Sequence, residues 1–119
     1  MTSLIAVLSS GKGTWGHVAQ LIAKQDWKKI FIITNQFGKE NFIIKEKPIE
    51  YVVIDSNKFL SELVKDIQNQ LKDKIADTEV ALNFISGTGK EHMAVLSALL
   101  KLGLGIRLVT LTPKGIEEI

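Results

Sequence analysis

A run near the start of the chain, Ser3-Leu4-Ile5-Ala6-Val7-Leu8, is the strongest constraint on the fold. It has the length of a β-strand, and after its first residue it is apolar throughout instead of alternating with polar residues. Strands of this kind are covered on both faces, as happens when helices pack on either side of a parallel sheet. The run therefore predicts a central parallel strand in an α/β domain.

Strand and helix patterns alternate along the rest of the chain. Further strands are predicted at 30–33, 51–54, 80–85 and 106–111, and helices at about 14–25, 59–71 and 90–102. Residues 37–49 fit either one short helix or a small edge element. Such alternation predicts an α/β fold, a Rossmann-like three-layer sandwich with a mostly parallel sheet of five or six strands.

The bulk properties fit one domain, residues 1–119, with residues 113–119 as the possible start of a linker. The formal net charge of +2 comes from interspersed lysines and acids, which argues against direct DNA binding, since DNA-binding domains usually carry a concentrated basic face. The lack of cysteine excludes thiolate chemistry and suits a cytoplasmic protein. Because no apolar run approaches ~20 residues, no membrane span is predicted.

The first glycine-rich turn, Gly11-Lys12-Gly13-Thr14-Trp15-Gly16, satisfies G-x-G-x-x-G between a strand and a helix. A dinucleotide site also needs an acidic residue at the end of the second strand, which here ends in Thr34-Asn35-Gln36. Lys12 and Trp15 are bulky where a pyrophosphate would approach. Two interpretations stay open for this turn: glycines needed for tight strand-to-helix packing, or a site for a different phosphate-bearing ligand.

A second turn, Ser86-Gly87-Thr88-Gly89-Lys90, also joins a strand to a helix, but it is not a P-loop. Phe84 stands where the first glycine should be, and Glu91 replaces the magnesium-binding hydroxyl. What remains is hydroxyls, flexible glycines and an ammonium group at a helix start, where backbone N–H groups and the helix dipole attract anions. A simple capped turn is the alternative.

In a doubly wound sheet, strand one and the strand at 80–85 lie side by side where the strand order reverses. Ligands of open α/β sheets bind at that crevice, so both turns are expected to face one anionic ligand. No metal site or cofactor is predicted, because the two histidines lack a carboxylate pattern. His92 is either a phosphate contact or an ordinary surface histidine. The candidate ligand-binding residues are Ser9, Ser10, Gly11, Lys12, Gly13, Asn35, Ser86, Gly87, Thr88, Gly89, Lys90 and His92.

The helix that begins near Met93 is apolar almost all round as far as Leu102. Such a helix is buried on more than one side. It is either sandwiched within the fold or part of a subunit interface, and for a chain of this size we favour the interface.

The segment Asn83-Phe84-Ile85-Ser86-Gly87-Thr88-Gly89-Lys90, followed by Met93, an Ala/Leu-rich helix and the strand Ile106-Arg107-Leu108-Val109, resembles the fourth-strand region of CARF (CRISPR-associated Rossmann-fold) domains. The signature there is close to N-L-T-G-G-T-K-x-M. Ser9-Ser10-Gly11 resembles the other motif of that family. Two departures are visible here: Asn83 precedes the turn by one residue more, and the glycine and threonine are transposed.

The resemblance implies a homodimer that serves antiviral defence by binding a cyclic oligoadenylate across its two-fold axis. Lys12 and Lys90 of both subunits would face the phosphates of the ring. Two alternatives stay open. One is a metal-independent ring nuclease, in which Ser10 or Ser86 positions a phosphate and Lys90 stabilises its developing charge. The other is a monomeric Rossmann protein that binds a nucleotide or coenzyme.

Overall fold

The structure, a computed structural model, describes residues 2–119. It has six strands and four α-helices. The strands are β1 (Ser3–Val7), β2 (Ile30–Thr34), β3 (Glu50–Val53), β4 (Glu79–Asn83), β5 (Gly105–Thr112) and β6 (Gly115–Glu118). The helices are α1 (Trp15–Ala23), α2 (Gln36–Asn41), α3 (Leu60–Leu71) and α4 (Gly89–Lys101).

The strands form one sheet in the order β3-β2-β1-β4-β5-β6. The first five strands run parallel, and β6 pairs antiparallel with β5. Ala6 in β1 pairs with Ile32 on one side and with Asn83 on the other. The predicted Rossmann-like α/β fold is therefore confirmed, and the strand order reverses between β1 and β4 as expected.

The core explains why the first apolar run can exist. All five residues of β1 are buried, and successive side chains enter opposite layers. Ile5 and Val7 pack in the cluster that contains α3 and α4, whereas Leu4 and Ala6 pack in the cluster that contains α1. Each fully buried large aliphatic side chain contributes about 1.5–3 kcal/mol, so a strand that alternated with polar residues would not be stable here.

Most predicted bounds lie within one residue of the observed ones, and two elements, β4 and α1, end two residues early. β4 ends at Asn83 instead of Ile85, since the Asn83 side-chain oxygen accepts from the Ile85 backbone N–H at 3.1 Å and turns the chain. α1 is shorter than the predicted 14–25, and a single 3-10 turn, Lys12–Thr14, precedes it.

The two ambiguous segments each have a defined structure. Of residues 37–49, the first part belongs to the short helix α2 and the rest is irregular as far as β3. Residues 113–119, which fit the start of a linker, form a turn and the strand β6, in which Ile116 pairs with Leu111. They are part of the sheet. Within residues 2–119, no helix combines the length and the apolar character that crossing a membrane requires.

Candidate functional site

The turn after β1 and the turn after β4 touch each other at the carboxyl ends of their strands. The Ser9 backbone N–H donates to Ser86 Oγ at 2.8 Å, and the Ser86 hydroxyl donates to Ser9 Oγ at 3.1 Å. Ser86 is 2% exposed, so this contact lies at the floor of the crevice. Two turns separated by 77 residues in sequence are thereby held together at the switch point of the sheet.

Steric contacts require a glycine at position 87 in the turn after β4. This residue has φ +104°, a conformation that favours glycine. A Cβ added there would lie 2.6 Å from Val7 Cγ1 and 3.1 Å from Glu91 Oε1. The turn therefore packs directly on the end of β1, and only glycine fits this position.

The first turn of α4 carries a capping box. Thr88 Oγ1 accepts from the Glu91 N–H at 3.2 Å, and Glu91 Oε1 accepts from the Thr88 N–H at 2.8 Å. The Glu91 carboxylate is buried and also accepts a hydrogen bond from the Ser56 hydroxyl. The helix start is thus a capped turn, as one interpretation held. Within residues 2–119, the backbone N–H groups of Gly89 and Lys90 are the ones left to solvent or a ligand.

Lys90 contacts the loop that follows β3. Its Nζ donates to the Ser56 carbonyl oxygen at 2.8 Å, and its side chain is exposed. The loop from Asp55 to Lys58 was not among the predicted site residues. Its polar residues stand directly after a parallel strand, and because the carboxyl ends of parallel strands share one edge of a sheet, that position is the signal that identifies the loop.

An open groove of about 730 Å³ runs from the crevice over the ends of β2 and β3. Its charges are mixed. Asp66 forms a 2.9 Å ion pair with Lys58, and the hydrogen bond and charge of that carboxylate raise the pKa of Lys58 above its usual range. The polar and charged residues that line the groove are Ser9, Ser10, Asn35, Gln36, Asp55, Ser56, Asn57, Lys58, Asp66, Thr88 and Glu91.

Lys12 lies on the other side of the crevice from Lys90. Its Nζ is 5.6 Å from the ring centroid of Trp15 and 5.6 Å from that of Phe37. Trp15 belongs to the cluster on the α1 side of the sheet, whereas Ser56, the partner of Lys90, leads into α3 on the opposite side. Within this chain, therefore, the two ammonium groups flank the crevice and do not meet in it.

Three other polar side chains near the crevice have structural partners. Asn35 caps α2, since its Oδ1 accepts from the Gly38 N–H at 2.9 Å. His92 is half-buried and not an ordinary surface histidine: its Nε2 donates to the Ser86 carbonyl at 2.8 Å and its ring stacks on Phe84 at 4.4 Å. The buried Asn83 amide donates to the Val109 carbonyl at 2.8 Å.

The glycines of the first turn are not needed for packing. A Cβ added at Gly13 or Gly16 would meet no atom of the described chain within 4 Å, and Gly11 has φ −74°. The interpretation of this motif as a tight strand-to-helix contact is therefore wrong. Ser10, Gly11, Lys12 and Gly13 are instead exposed and accessible to a ligand.

Comparison with known proteins shows little. No protein-family model matches the sequence, and no curated protein is similar to it. Among solved structures, the chain is similar to the FMN-dependent cysteine decarboxylase TvaF of thioviridamide biosynthesis, with 11% identity and a TM-score of 0.36 over 89% of each chain. A likeness of that strength carries no argument about function.

Proposed function

We propose that this protein is a homodimeric sensor domain that binds a cyclic oligoadenylate in the crevice between the turns after β1 and β4, as its resemblance to CARF domains implies. The observation that supports the proposal best is the direct Ser9–Ser86 contact. It joins the two turns that carry the resemblance, at the position in the sheet where α/β proteins bind ligands.

The two lysines on either side of this contact are able to bind phosphate. Within residues 2–119, neither Lys12 nor Lys90 forms an ion pair: one lies over aromatic rings, and the other donates to a carbonyl. Both can exchange these partners for a phosphate oxygen. A hydrogen bond to a charged group contributes about 1.5–3 kcal/mol, so two lysines from each of two subunits would support tight binding.

The dimer is proposed from the outer face of α4. This helix buries Ala94, Val95 and their neighbours against the sheet, but Met93, Leu96 and Leu100 form a second apolar stripe at i, i+3 and i+7 that is 59%, 38% and 61% exposed. The stripe begins at Met93, three residues after Lys90, which ends the turn after β4. Two copies packed through it about a two-fold axis would bring both copies of that turn to one shared ligand.

The proposal places the protein in the cytoplasm, in keeping with a chain that has no cysteine. Cleavage of the ligand is an outcome of the test below. Ser86 is buried and His92 is half-buried, whereas Ser10 and Lys90 are exposed and are therefore the side chains for any such reaction.

The test is incubation of the protein with cyclic tetra-adenylate in EDTA, followed by mass spectrometry of bound and free nucleotide. Bound, intact ligand supports the sensor, and linear products would make the protein a ring nuclease. Retention of other nucleotides alone would favour the monomeric Rossmann alternative. Mass spectrometry of any nucleotide that co-purifies adds an unbiased identification.

Sedimentation tests the dimer separately. We expect a dimer for the wild-type protein and a shift towards monomer for Leu100→Glu, because a carboxylate would be buried in the apolar interface. Lys101→Glu changes an exposed neighbour on the same helix and should leave the dimer intact. A wild-type protein that stays monomeric at high concentration, with and without ligand, would contradict the dimer.

A further inference from the structure

Trp15 and Phe37 form a surface feature that the anion site does not explain. Their ring centroids lie 6.1 Å apart with the planes at 48°, and the Lys12 ammonium group lies over both rings. We call these two rings the aromatic slot. Phe37 is 43% exposed, although large aromatic side chains are usually buried.

The slot is fixed to the floor of the crevice. The Trp15 indole N–H donates to the Ser9 carbonyl at 2.8 Å, and Ser9 is the residue whose N–H contacts Ser86. The Trp15 ring also packs against the buried Phe42, with centroids 5.6 Å apart and planes at 86°. Trp15 is therefore held on two sides, while Phe37 opens the slot to solvent.

The present occupant of the slot is easily replaced. A lysine over an exposed ring gains little, since both groups remain solvated. A nucleobase stacked on an aromatic side chain gains more, because every base has an apolar π-face to bury. A base that stacks on the exposed Phe37 ring would also displace Lys12, whose ammonium group could then move to a phosphate of the same ligand.

We infer that the aromatic slot is a nucleobase site, so that the crevice recognises a base-bearing nucleotide and not a phosphorylated sugar alone. This inference rests on the proposed function in so far as the ligand occupies the crevice. It adds a specificity element, Phe37 with Trp15, and gives Lys12 two positions, on the rings without ligand and on phosphate with it.

The first experiment measures the affinity for cyclic tetra-adenylate by calorimetry. Phe37→Leu keeps an apolar side chain but removes the π-face, and we expect it to weaken binding about 10-fold. Phe37→Trp should bind like the wild type. The matched control is Phe59→Leu, since Phe59 is 78% exposed at the start of α3 and lies outside the slot. Wild-type affinity in Phe37→Leu would overturn the inference.

A second experiment separates this inference from the proposed function. Trp15 fluorescence is followed during titration with AMP and with ribose 5-phosphate. Trp27 is buried, with its indole N–H donating to the Leu21 carbonyl, and should contribute a constant background. We expect quenching by AMP only, and its loss in Phe37→Leu. If cyclic tetra-adenylate fails to bind but AMP quenches, the proposed function fails and the slot stands; equal responses to both probes would exclude the slot.

Discussion

The two turns that form the crevice look alike in sequence but are built differently. Each follows a buried parallel strand, contains glycines and a lysine, and opens a helix. In the turn after β4, the buried Ser86 and the positive-φ Gly87 are fixed by packing and hydrogen bonds. In the turn after β1, the stretch from Ser10 to Gly13 is exposed, and the glycines have room for a side chain.

This difference shows that glycine occurs in the two turns for two different physical reasons. Gly87 is present because nothing larger fits against Val7, whereas Gly13 leaves the backbone open to solvent or to a ligand. A fixed turn holds its groups in place before binding, which lowers the entropic cost of association. An exposed turn can adjust. The comparison therefore predicts that equal substitutions in the two turns will have unequal effects.

The largest difference is expected for Gly87→Ala against Gly13→Ala. At Gly87 the new methyl group meets Val7 and the backbone is strained, so we expect a loss of about 2–4 kcal/mol in the free energy of unfolding. Gly13→Ala should change stability by less than about 1 kcal/mol. Urea denaturation measures both. Equal effects would show that the turns are not built differently.

The next difference concerns ligand affinity and Lys90. Lys90→Ala should weaken binding of cyclic tetra-adenylate by about 1.5 kcal/mol or more, because a charge-assisted hydrogen bond is lost. Calorimetric titration gives the affinity, and urea denaturation should show an unchanged fold, since the side chain is exposed. Lys101→Ala, at the far end of α4, is the control. An unchanged affinity in Lys90→Ala would remove this residue from the site.

A smaller effect is expected for Ser86→Ala against Ser10→Ala. Ser86→Ala leaves the Ser9 N–H without its acceptor at the floor of the crevice and should cost about 1–2 kcal/mol of stability. Ser10 is exposed, and its substitution should cost less than about 0.5 kcal/mol. Thermal unfolding ranks the two variants. If Ser10→Ala were the more destabilising, the exposed turn would have a structural role of its own, which would contradict the comparison.

The smallest difference is expected at the two helix starts. Thr88 caps α4 through its side chain, so Thr88→Ala should cost about 1 kcal/mol. Thr14 stands at the same position before α1 but makes no side-chain capping bond, and Thr14→Ala should be close to neutral. Chemical denaturation of both variants tests this. If Thr88→Ala left the stability unchanged, the Glu91 side chain alone would be enough to cap the start of α4.

The alternation of apolar runs predicted the sheet because its cause is local. A run such as residues 3–8 can be stable only when it is covered on both faces. Strands that alternate with helices along the chain can meet this requirement in only a few sheet topologies. The same reasoning correctly placed β1 beside β4. It failed for residues 113–119 because pairing of β6 with β5 depends on an edge that only the assembled sheet provides.

The site was determined by sequence in part. Glycines, hydroxyls and lysines at two strand ends were enough to predict that the two turns would meet, since the carboxyl ends of parallel strands share one edge of the sheet. The sequence did not predict the hydrogen-bond partner of each side chain, because these partners come from distant segments. Ser56 contacts Lys90 and Glu91, and Ser9 contacts Ser86. Tertiary structure alone decided which turn is fixed and which is free, because that depends on how closely neighbouring atoms pack.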